Sequence, residues 1–191
     1  MRKIVSFSGG RTSAYLCKIM IETFGRDNVD FIYMDTGAEH QKTYDFIRNV
    51  NREFGLDLVC LRGDFNQPIG KGHKYHIADI ENIKPSRMKE ETHDKYCNDK
   101  YGKGNYQTWI GIRADEPKRL VGVGKRDNLR YMSEITDAEK YDVLKFWSEM
   151  PFDLGIDEWL GNCVFCFKKS NLKLAAAQRD EPELYIKWLE M

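Results

Sequence analysis

Residues 6–13 combine two adjacent glycines with hydroxyl side chains and one arginine, in the order Ser-Phe-Ser-Gly-Gly-Arg-Thr-Ser. Glycine lets the backbone pass close to an anion with dihedral angles that other residues avoid. The hydroxyls of Ser8, Thr12 and Ser13 add hydrogen-bond donors, and the planar guanidinium of Arg11 adds fixed positive charge. A helix that begins directly after the glycines offers free N–H groups and a favourable dipole. The pattern therefore predicts a cradle for the linked phosphates of a pyrophosphate group.

Two better-known glycine motifs are absent from the chain. Neither Gly-x-x-x-x-Gly-Lys-Ser/Thr nor Gly-x-Gly-x-x-Gly occurs anywhere in the sequence. The alternative interpretation of residues 6–13 is an ordinary Gly-Gly turn. The order of strand, loop and helix around the two glycines favours a phosphate site.

The elements around this loop follow a regular alternation. Strand-type runs at residues 3–7, 29–34 and 56–61 alternate with helical periodicity at 12–24 and 39–54, and Gly25 and Gly55 follow the two helices. This β-α-β-α-β order predicts an α/β fold with a parallel sheet and helices on both faces.

The rest of the chain is less periodic. Residues 62–108 are polar and predict a long functional insertion, with a short helix at 83–91. Thr136 and Glu139 have capping-box spacing and predict a helix that runs to about residue 150. Ser170 and Pro182 predict the starts of two further helices. We therefore expect a nucleotide-binding domain at 1–135, with the insertion 62–108, and a helical C-terminal segment at 136–191.

Composition sets the broad class of the protein. The chain has 191 residues, 41% of them hydrophobic, and equal numbers of acidic and basic residues, so that net charge indicates no partner. No apolar stretch is long enough for a membrane span or a signal peptide. Five cysteines without a disulfide-like framework favour a reducing compartment. We expect a cytoplasmic protein that binds no membrane.

Three motifs in register resemble a known family. Ser-Gly-Gly-x-x-Ser at 8–13 resembles the PP-loop of the ATP pyrophosphatase group, although Arg11-Thr12 stand where the usual loop has Lys-Asp. Asp-Thr-Gly-Ala-Glu at 35–39 and Gly-Ile-Arg-x-x-Glu-x-x-Arg at 111–119 are similar to motifs of its phosphoadenosine phosphosulfate reductase-like branch. Three phage-type motifs, Phe146-Trp147, Pro-Phe-Asp-Leu at 151–154 and Gly-Asn-Cys-x-x-Cys at 161–166, resemble the reductase-like proteins that phages often carry, which implies a bacterial or phage-infected cell. The resemblance implies a Rossmann-like adenine nucleotide α-hydrolase fold.

The resemblance also implies a set of site residues. The phosphates of the nucleotide would be held by Ser8, Gly9, Gly10, Arg11, Thr12 and Ser13. The ribose and base would meet Asp35, Thr36 and Gly37, and Gly111, Ile112 and Arg113 would close over the nucleotide. Arg11, Arg113 and Lys100 are the expected catalytic residues. Glu39 and Arg119 also belong to the matching motifs, but a structural or surface role suits them equally well.

The cysteines suggest a metal or cluster site. Cys163 and Cys166 have the Cys-x-x-Cys spacing that grips one metal or one edge of a cluster, and Cys97 precedes the Gly-Ile-Arg motif as the expected third ligand. Three cysteines suit a [4Fe–4S] cluster with one open iron, which we favour over Zn²⁺ completed by His93 or Cys60. Free or redox-active thiols are the third alternative. His73 and His76 are expected to lie in a solvated loop.

The resemblance implies that ATP, or a related adenine nucleotide, binds with Mg²⁺ and is attacked at its α-phosphate with release of pyrophosphate. A sulfur carried on the Cys97, Cys163 and Cys166 site could then be transferred to tRNA or DNA. The basic residues at 113–130, with Lys71 and Lys74, could form a track for a phosphodiester backbone; the alternative is that some serve the nucleotide phosphates and the rest face solvent. A homodimer is a further expectation. The alternatives are thiol-dependent reduction of a sulfonucleotide, disfavoured because no cysteine follows Cys166, and a non-catalytic nucleotide-binding module.

Overall fold

The computed structural model describes residues 1–35, 37–63, 75–78, 91–120, 126–166 and 169–189. Within these ranges the backbone forms one six-stranded sheet in the order β4-β3-β2-β1-β5-β6. The strands are β1 (Arg2–Phe7), β2 (Val29–Met34), β3 (Val59–Gly63), β4 (Tyr75–Ala78), β5 (Tyr106–Ile110) and β6 (Leu129–Tyr131).

Five of the strands are parallel, and only β4 pairs antiparallel, with β3 at one edge. The chain moves outward from β1 to β3 and then returns to the other side of β1 with β5 and β6. Open α/β sheets bind ligands where the strand order reverses, outside the carboxyl ends of the strands. The carboxyl ends of β1 and β5 therefore form the expected ligand crevice.

Seven α-helices complete the described fold. They are α1 (Arg11–Phe24), α2 (Gln41–Phe54), α3 (Glu91–Tyr101), α4 (Pro117–Leu120), α5 (Lys140–Glu149), α6 (Asn171–Asp180) and α7 (Pro182–Leu189). Helix α2 ends at Gly55 in the left-handed conformation, with φ 57°, as the sequence predicts. None of these helices combines the length and apolarity that crossing a lipid bilayer requires.

Successive side chains along β1 point to opposite faces of the sheet. Val5 and Phe7 join the main core with residues of α1, α2 and α5. Ile4 packs on the opposite face with Tyr96 and Cys97 of α3. The α/β fold with helices on both faces of a parallel sheet is thus confirmed.

The segment after residue 135 shares the main core. Trp147 is 1% exposed and packs edge-on against Phe46 of α2, with ring centroids 4.8 Å apart. Val143 and Leu154 belong to the same cluster. Only α6, α7 and the loop before them add a small cluster of their own, around Val164 and Phe165. The expected boundary at 135 consequently falls inside a continuous core.

Two local predictions were wrong. The interval 62–108 contains β4, the whole of α3 and the start of β5, and is not simply an aperiodic insertion. Helix α5 begins at Lys140, because Glu139 and Asp142 form the capping box in place of Thr136 and Glu139. The helices expected after Ser170 and at Pro182 are confirmed. The predicted helix at 83–91 lies almost wholly outside the described residues.

Replacing Trp147 tests whether the C-terminal segment is part of the main core. We expect Trp147→Ala to lower the free energy of unfolding by about 3–5 kcal/mol, because the cavity lies among packed aromatic rings. Trp188→Ala is the matched control; this side chain is 39% exposed, and we expect a loss of about 1 kcal/mol or less. Urea unfolding followed by circular dichroism measures both. Equal losses would contradict the shared core.

Candidate functional site

A cavity of about 710 Å³ lies at the carboxyl ends of β1 and β5. Three segments and the side chain of Lys140 line it; the segments are the glycine loop, the stretch from Ile110 to Arg119, and the loop from Leu154 to Asn162. Of the residues expected from the sequence, the cavity wall contains Ser8, Gly10, Arg11, Thr12, Ser13, Gly111, Ile112 and Arg113. Its size matches the range of pockets that hold small molecules.

The glycine loop presents the start of α1 to this cavity. Gly10 is the residue before the first helical turn, and within the described residues no side-chain cap is formed at this end of the helix. The Ser13 hydroxyl donates to the Gly10 carbonyl at 3.0 Å and accepts from the Ser8 N–H at 3.2 Å. These bonds hold the loop in shape while leaving the helix end open, which suits an anion.

Two glycines are required by close packing. Gly9 has φ +78°, and a Cβ there would lie 2.9 Å from the Ile47 Cδ1 of α2. A Cβ on Gly111 would lie 3.1 Å from the Ser13 Cα and 3.2 Å from the Ser13 N. The end of β5 can approach the loop this closely only because residue 111 has no side chain.

Arg113 links the Gly-Ile-Arg motif after β5 to the glycine loop. Its Nη1 donates to the Thr12 hydroxyl at 3.2 Å, and its Nε donates to Asp115 at 2.7 Å. The hydrogen bond from Arg113 lowers the pKa of Asp115 below its ordinary value. The guanidinium is therefore oriented beside the start of α1, where charge from a bound phosphate would be neutralised.

Arg11 is bound by the C-terminal segment, which the sequence does not reveal. Its Nε and Nη2 donate to the two carboxylate oxygens of Asp153, each at 2.6 Å. The indole N–H of Trp147 donates to the Arg11 carbonyl at 3.0 Å. Burial opposes the charged form of Asp153, but hydrogen bonds from Arg11 and from the Leu154 N–H lower its pKa. The only sequence signal for these partners is the phage-type motif in which they lie.

Asp35 and Gly37 do not line the cavity. The Asp35 carboxylate is 0% exposed and accepts from the Tyr44 hydroxyl at 3.0 Å, the Gly37 N–H at 2.8 Å and the Arg62 Nε at 3.0 Å. In this structure Asp35 therefore orders the turn after β2 and fixes Arg62. Thr36 lies outside the described residues.

Lys100 lies outside the cavity as well. Its ammonium group donates to the Tyr96 hydroxyl at 3.1 Å and lies over the ring of Tyr101. The Tyr101 hydroxyl in turn donates to Asp30, the second residue of β2. Lys100 thus lies toward the amino ends of the strands, so the catalytic role expected from the resemblance has no support in this geometry.

The three expected metal ligands are not brought together. Cys97 lies on α3 and is buried against the sheet, where desolvation raises the pKa of its thiol to about 12. Cys163 lies in a different place, with its Sγ 3.5 Å from Oε1 of the buried Glu39. Among the described residues no group of three or more His, Cys, Asp or Glu side chains could hold a metal ion. The arrangement therefore does not fit the expected cluster or zinc site.

The basic residues after β5 are largely paired with acids. Arg113 and Arg119 contact Glu116, Arg126 contacts Asp94, and Arg130 contacts Glu134. In the part of the chain that the structure describes they do not form a continuous unpaired track. Lys71, Lys74, His73 and Lys125 lie outside the described residues, as does the side chain of His76.

Residues 2–123 match the family described as phosphoadenosine phosphosulfate reductase domain. An uncharacterized nin region protein, ORF290 of Escherichia phage lambda, is 42% identical over 212 residues, covering 96% of this chain and 72% of its own length. The uncharacterized protein MJ0066 of Methanocaldococcus jannaschii is 33% identical over 61 residues, 32% of this chain and 12% of its own length.

Among solved structures, the U34-tRNA thiolase NcsA from Methanococcus maripaludis, with its [4Fe-4S] cluster, is similar with a TM-score of 0.50. The similarity covers 98% of this chain and 67% of the thiolase, at 14% sequence identity. At this identity the similarity supports the fold alone.

Alanine at the two loop glycines tests the packing described above. We expect Gly9→Ala to lower the free energy of unfolding by about 2–3 kcal/mol, because a positive φ and a contact with Ile47 both oppose the Cβ. At Gly10 the nearest atom to an added Cβ is the Ser8 Oγ at 3.8 Å, so that Gly10→Ala should cost about 1 kcal/mol or less. Chemical denaturation measures both, and the reverse order would contradict the loop geometry.

Thiol alkylation tests the placement of the cysteines. Burial raises the pKa of both Cys60 and Cys97 to about 12, so that both are protonated thiols at pH 8. Cys163 and Cys166 are partly exposed. With iodoacetamide at pH 8 we expect Cys163 and Cys166 to be modified at least about tenfold faster, as measured by peptide mass spectrometry. Modification of Cys97 at the same rate as Cys163 would refute this placement.

Proposed function

Because the chain belongs to the phosphoadenosine phosphosulfate reductase domain family, we propose that it is an enzyme that binds ATP or a related adenine nucleotide in the 710 Å³ cavity. In this proposal an acceptor attacks the α-phosphorus and pyrophosphate leaves. The observation that carries the proposal is the uncapped start of α1 at the sheet's switch point, with Arg11 and Arg113 in the same cavity wall.

The nucleotide's linked phosphates are proposed to lie on the first-turn N–H groups of α1. Backbone N–H groups, the helix dipole and the hydroxyls of Ser8 and Thr12 favour an anion there, while the Ser13 hydroxyl holds the loop through the Gly10 carbonyl. The close approach of Gly111 supports this placement, because it closes one side of the loop against β5. Gly10 leaves room for the phosphates at the helix start, and Ile112 is proposed to cover the nucleotide.

The proposed reaction needs little more than positioning and charge neutralisation. An oxygen nucleophile of the acceptor forms a bond to the α-phosphorus, the bond from phosphorus to the bridging oxygen breaks, and pyrophosphate departs with that electron pair. The acceptor's proton passes to solvent. Arg113 and Arg11 are proposed to offset the charge that develops on the phosphoryl oxygens. Adenylylated acceptor and pyrophosphate are the products.

The cavity also contains carboxylates that suit Mg²⁺. Glu116, Asp157 and Glu158 line it without forming a three-ligand group, and this ion is usually held by one or two carboxylates together with substrate phosphates. Asp157 is the best candidate, because Glu116 and Glu158 already form ion pairs with Arg119 and Lys173. Mg²⁺ bound there would neutralise phosphate charge and orient the leaving pyrophosphate.

The acceptor is proposed to be a nucleic acid, either tRNA or DNA. Arg119 and Lys140 line the cavity, and their side chains are 60% and 61% exposed, so that they can meet a phosphodiester backbone at its mouth. The proposal includes no step through an iron–sulfur cluster or zinc, because Cys97 lies apart from Cys163 and Cys166.

Thiol-dependent reduction of a sulfonucleotide is the second candidate function. The family match favours it, and the partly exposed Cys163 offers a thiol next to Glu39. Pyrophosphate release from ATP with Mg²⁺, with and without RNA or DNA, supports the first function. Sulfite release from a phosphosulfate in the presence of a thiol supports the second. Tight nucleotide binding with neither product would indicate a non-catalytic module.

Truncation of either cavity arginine tests the proposed chemistry. We expect Arg11→Ala and Arg113→Ala each to lower kcat/KM for pyrophosphate release by about 10²–10³-fold, because each removes a charge at the phosphates. Arg179→Ala is the matched control, since this arginine is exposed on α6 and pairs only with Asp180 among the described residues. Unchanged turnover in the Arg113→Ala variant would remove that residue from the reaction.

A further inference from the structure

The pair between Arg11 and Asp153 connects the glycine loop to a residue 142 positions later in the chain. The contact is a fork, because Nε and Nη2 of the guanidinium meet separate carboxylate oxygens, each at 2.6 Å. Such bidentate pairs fix the plane of the guanidinium as well as its position. Arg11 is thereby held along one edge, and its remaining N–H groups are not used by this pair.

Asp153 is itself firmly placed. The Leu154 N–H donates to the Asp153 Oδ1 at 2.7 Å, and Leu154 belongs to the main core. Phe152, on the other side, packs against Trp147 with ring centroids 5.9 Å apart. The carboxylate thus extends from a short segment with an apolar anchor on each side.

The same segment also holds the backbone of Arg11. Trp147 is almost fully buried, and its indole N–H donates to the Arg11 carbonyl at 3.0 Å. Arg11 is consequently bound twice from the C-terminal part of the chain, once through its backbone and once through its side chain. An isolated surface salt bridge would hold the side chain of Arg11 but would not also hold its backbone carbonyl.

Arg11 lies at a junction of two cavities. It lines the 710 Å³ cavity and also a smaller one of about 290 Å³, which His40, Lys42 and Glu181 help to form. A guanidinium free to rotate could turn toward either space. The Asp153 fork removes that freedom.

We propose that Asp153 is a positioning residue for the reaction: it fixes the Arg11 guanidinium so that its unused edge meets the phosphates in the larger cavity. This inference rests on the proposed function. It assigns Asp153 no contact with the nucleotide; the residue acts through Arg11 alone.

A role in which Asp153 competes with phosphate for Arg11 would give different binding and kinetic results. If Asp153 only competed with phosphate for Arg11, its removal would strengthen nucleotide binding and leave turnover intact. If it orients Arg11, its removal lowers turnover, because misplacement of a charge by about 1 Å can cost about 10²-fold in rate. The negative charge of Asp153 acts on the bound nucleotide and on the transition state alike, and therefore cancels in kcat. Loss of the orientation of Arg11 destabilises mainly the transition state, and therefore lowers kcat more than it weakens nucleotide binding.

The test compares wild type with Asp153→Asn, which keeps the side-chain shape and removes the charge-assisted fork. We expect kcat for pyrophosphate release to fall at least about tenfold, while the Kd of a non-hydrolysable ATP analogue changes by less than about threefold. Asp45→Asn is the control; it breaks another Asp–Arg pair, with Arg48 at 2.9 Å on α2, and should leave both quantities unchanged.

A double-mutant cycle separates positioning from stability. In an Arg11→Lys background, where no fork can form, we expect Asp153→Asn to change kcat by less than about twofold. An equal loss in both backgrounds would mean that Asp153 acts independently of Arg11 and would overturn the inference, as would tighter binding with unchanged kcat. Wild-type protein that binds no analogue and releases no pyrophosphate would contradict the proposed function itself, and the inference with it.

Discussion

The open start of α1, set between the carboxyl ends of β1 and β5, is the feature on which the rest of the site depends. A helix end without a cap needs partners for its first N–H groups, and here those groups lie at a cavity wall. The geometry requires Gly9 to pass under α2 and Gly111 to touch the backbone of Ser13. The arginines add fixed charge to what the backbone already favours. The site is therefore primarily a product of backbone geometry.

The C-terminal segment completes this site. Trp147, Asp153 and the loop from Leu154 to Asn162 bring an aromatic anchor, a counter-ion and one wall of the cavity to a loop near the amino terminus. The family match ends at residue 123, so that these contacts lie beyond the family's shared domain. They belong to the region in which this chain resembles its phage lambda relative, since that similarity covers 96% of the chain.

Much of the fold could be predicted from the sequence, because the first three strands and two helices have clear periodicity and glycine stops. The strand order cannot be predicted, since β5 begins in a stretch without apolar alternation. The resemblance implies that Asp35 meets the nucleotide, whereas the cavity lies over β1 and β5 and its wall does not contain Asp35. The sequence groups Cys97 with Cys163 and Cys166 by residue type and by its position before the Gly-Ile-Arg motif, neither of which fixes a distance. Cys97 is buried because it lies on α3, and the polar composition of residues 62–108 gives no sign of this helix. The sequence does not predict the pairing of Asp153 with Arg11, because a long-range ion pair leaves no periodic signal.

A structure of the protein in complex with a non-hydrolysable ATP analogue and Mg²⁺ tests the central claim most directly. We expect the linked phosphates to accept hydrogen bonds from the backbone N–H groups of Arg11, Thr12 and Ser13, with the guanidinium of Arg113 beside them. Phosphates bound at the carboxyl end of β2, or in the smaller cavity beside His40, would contradict this claim.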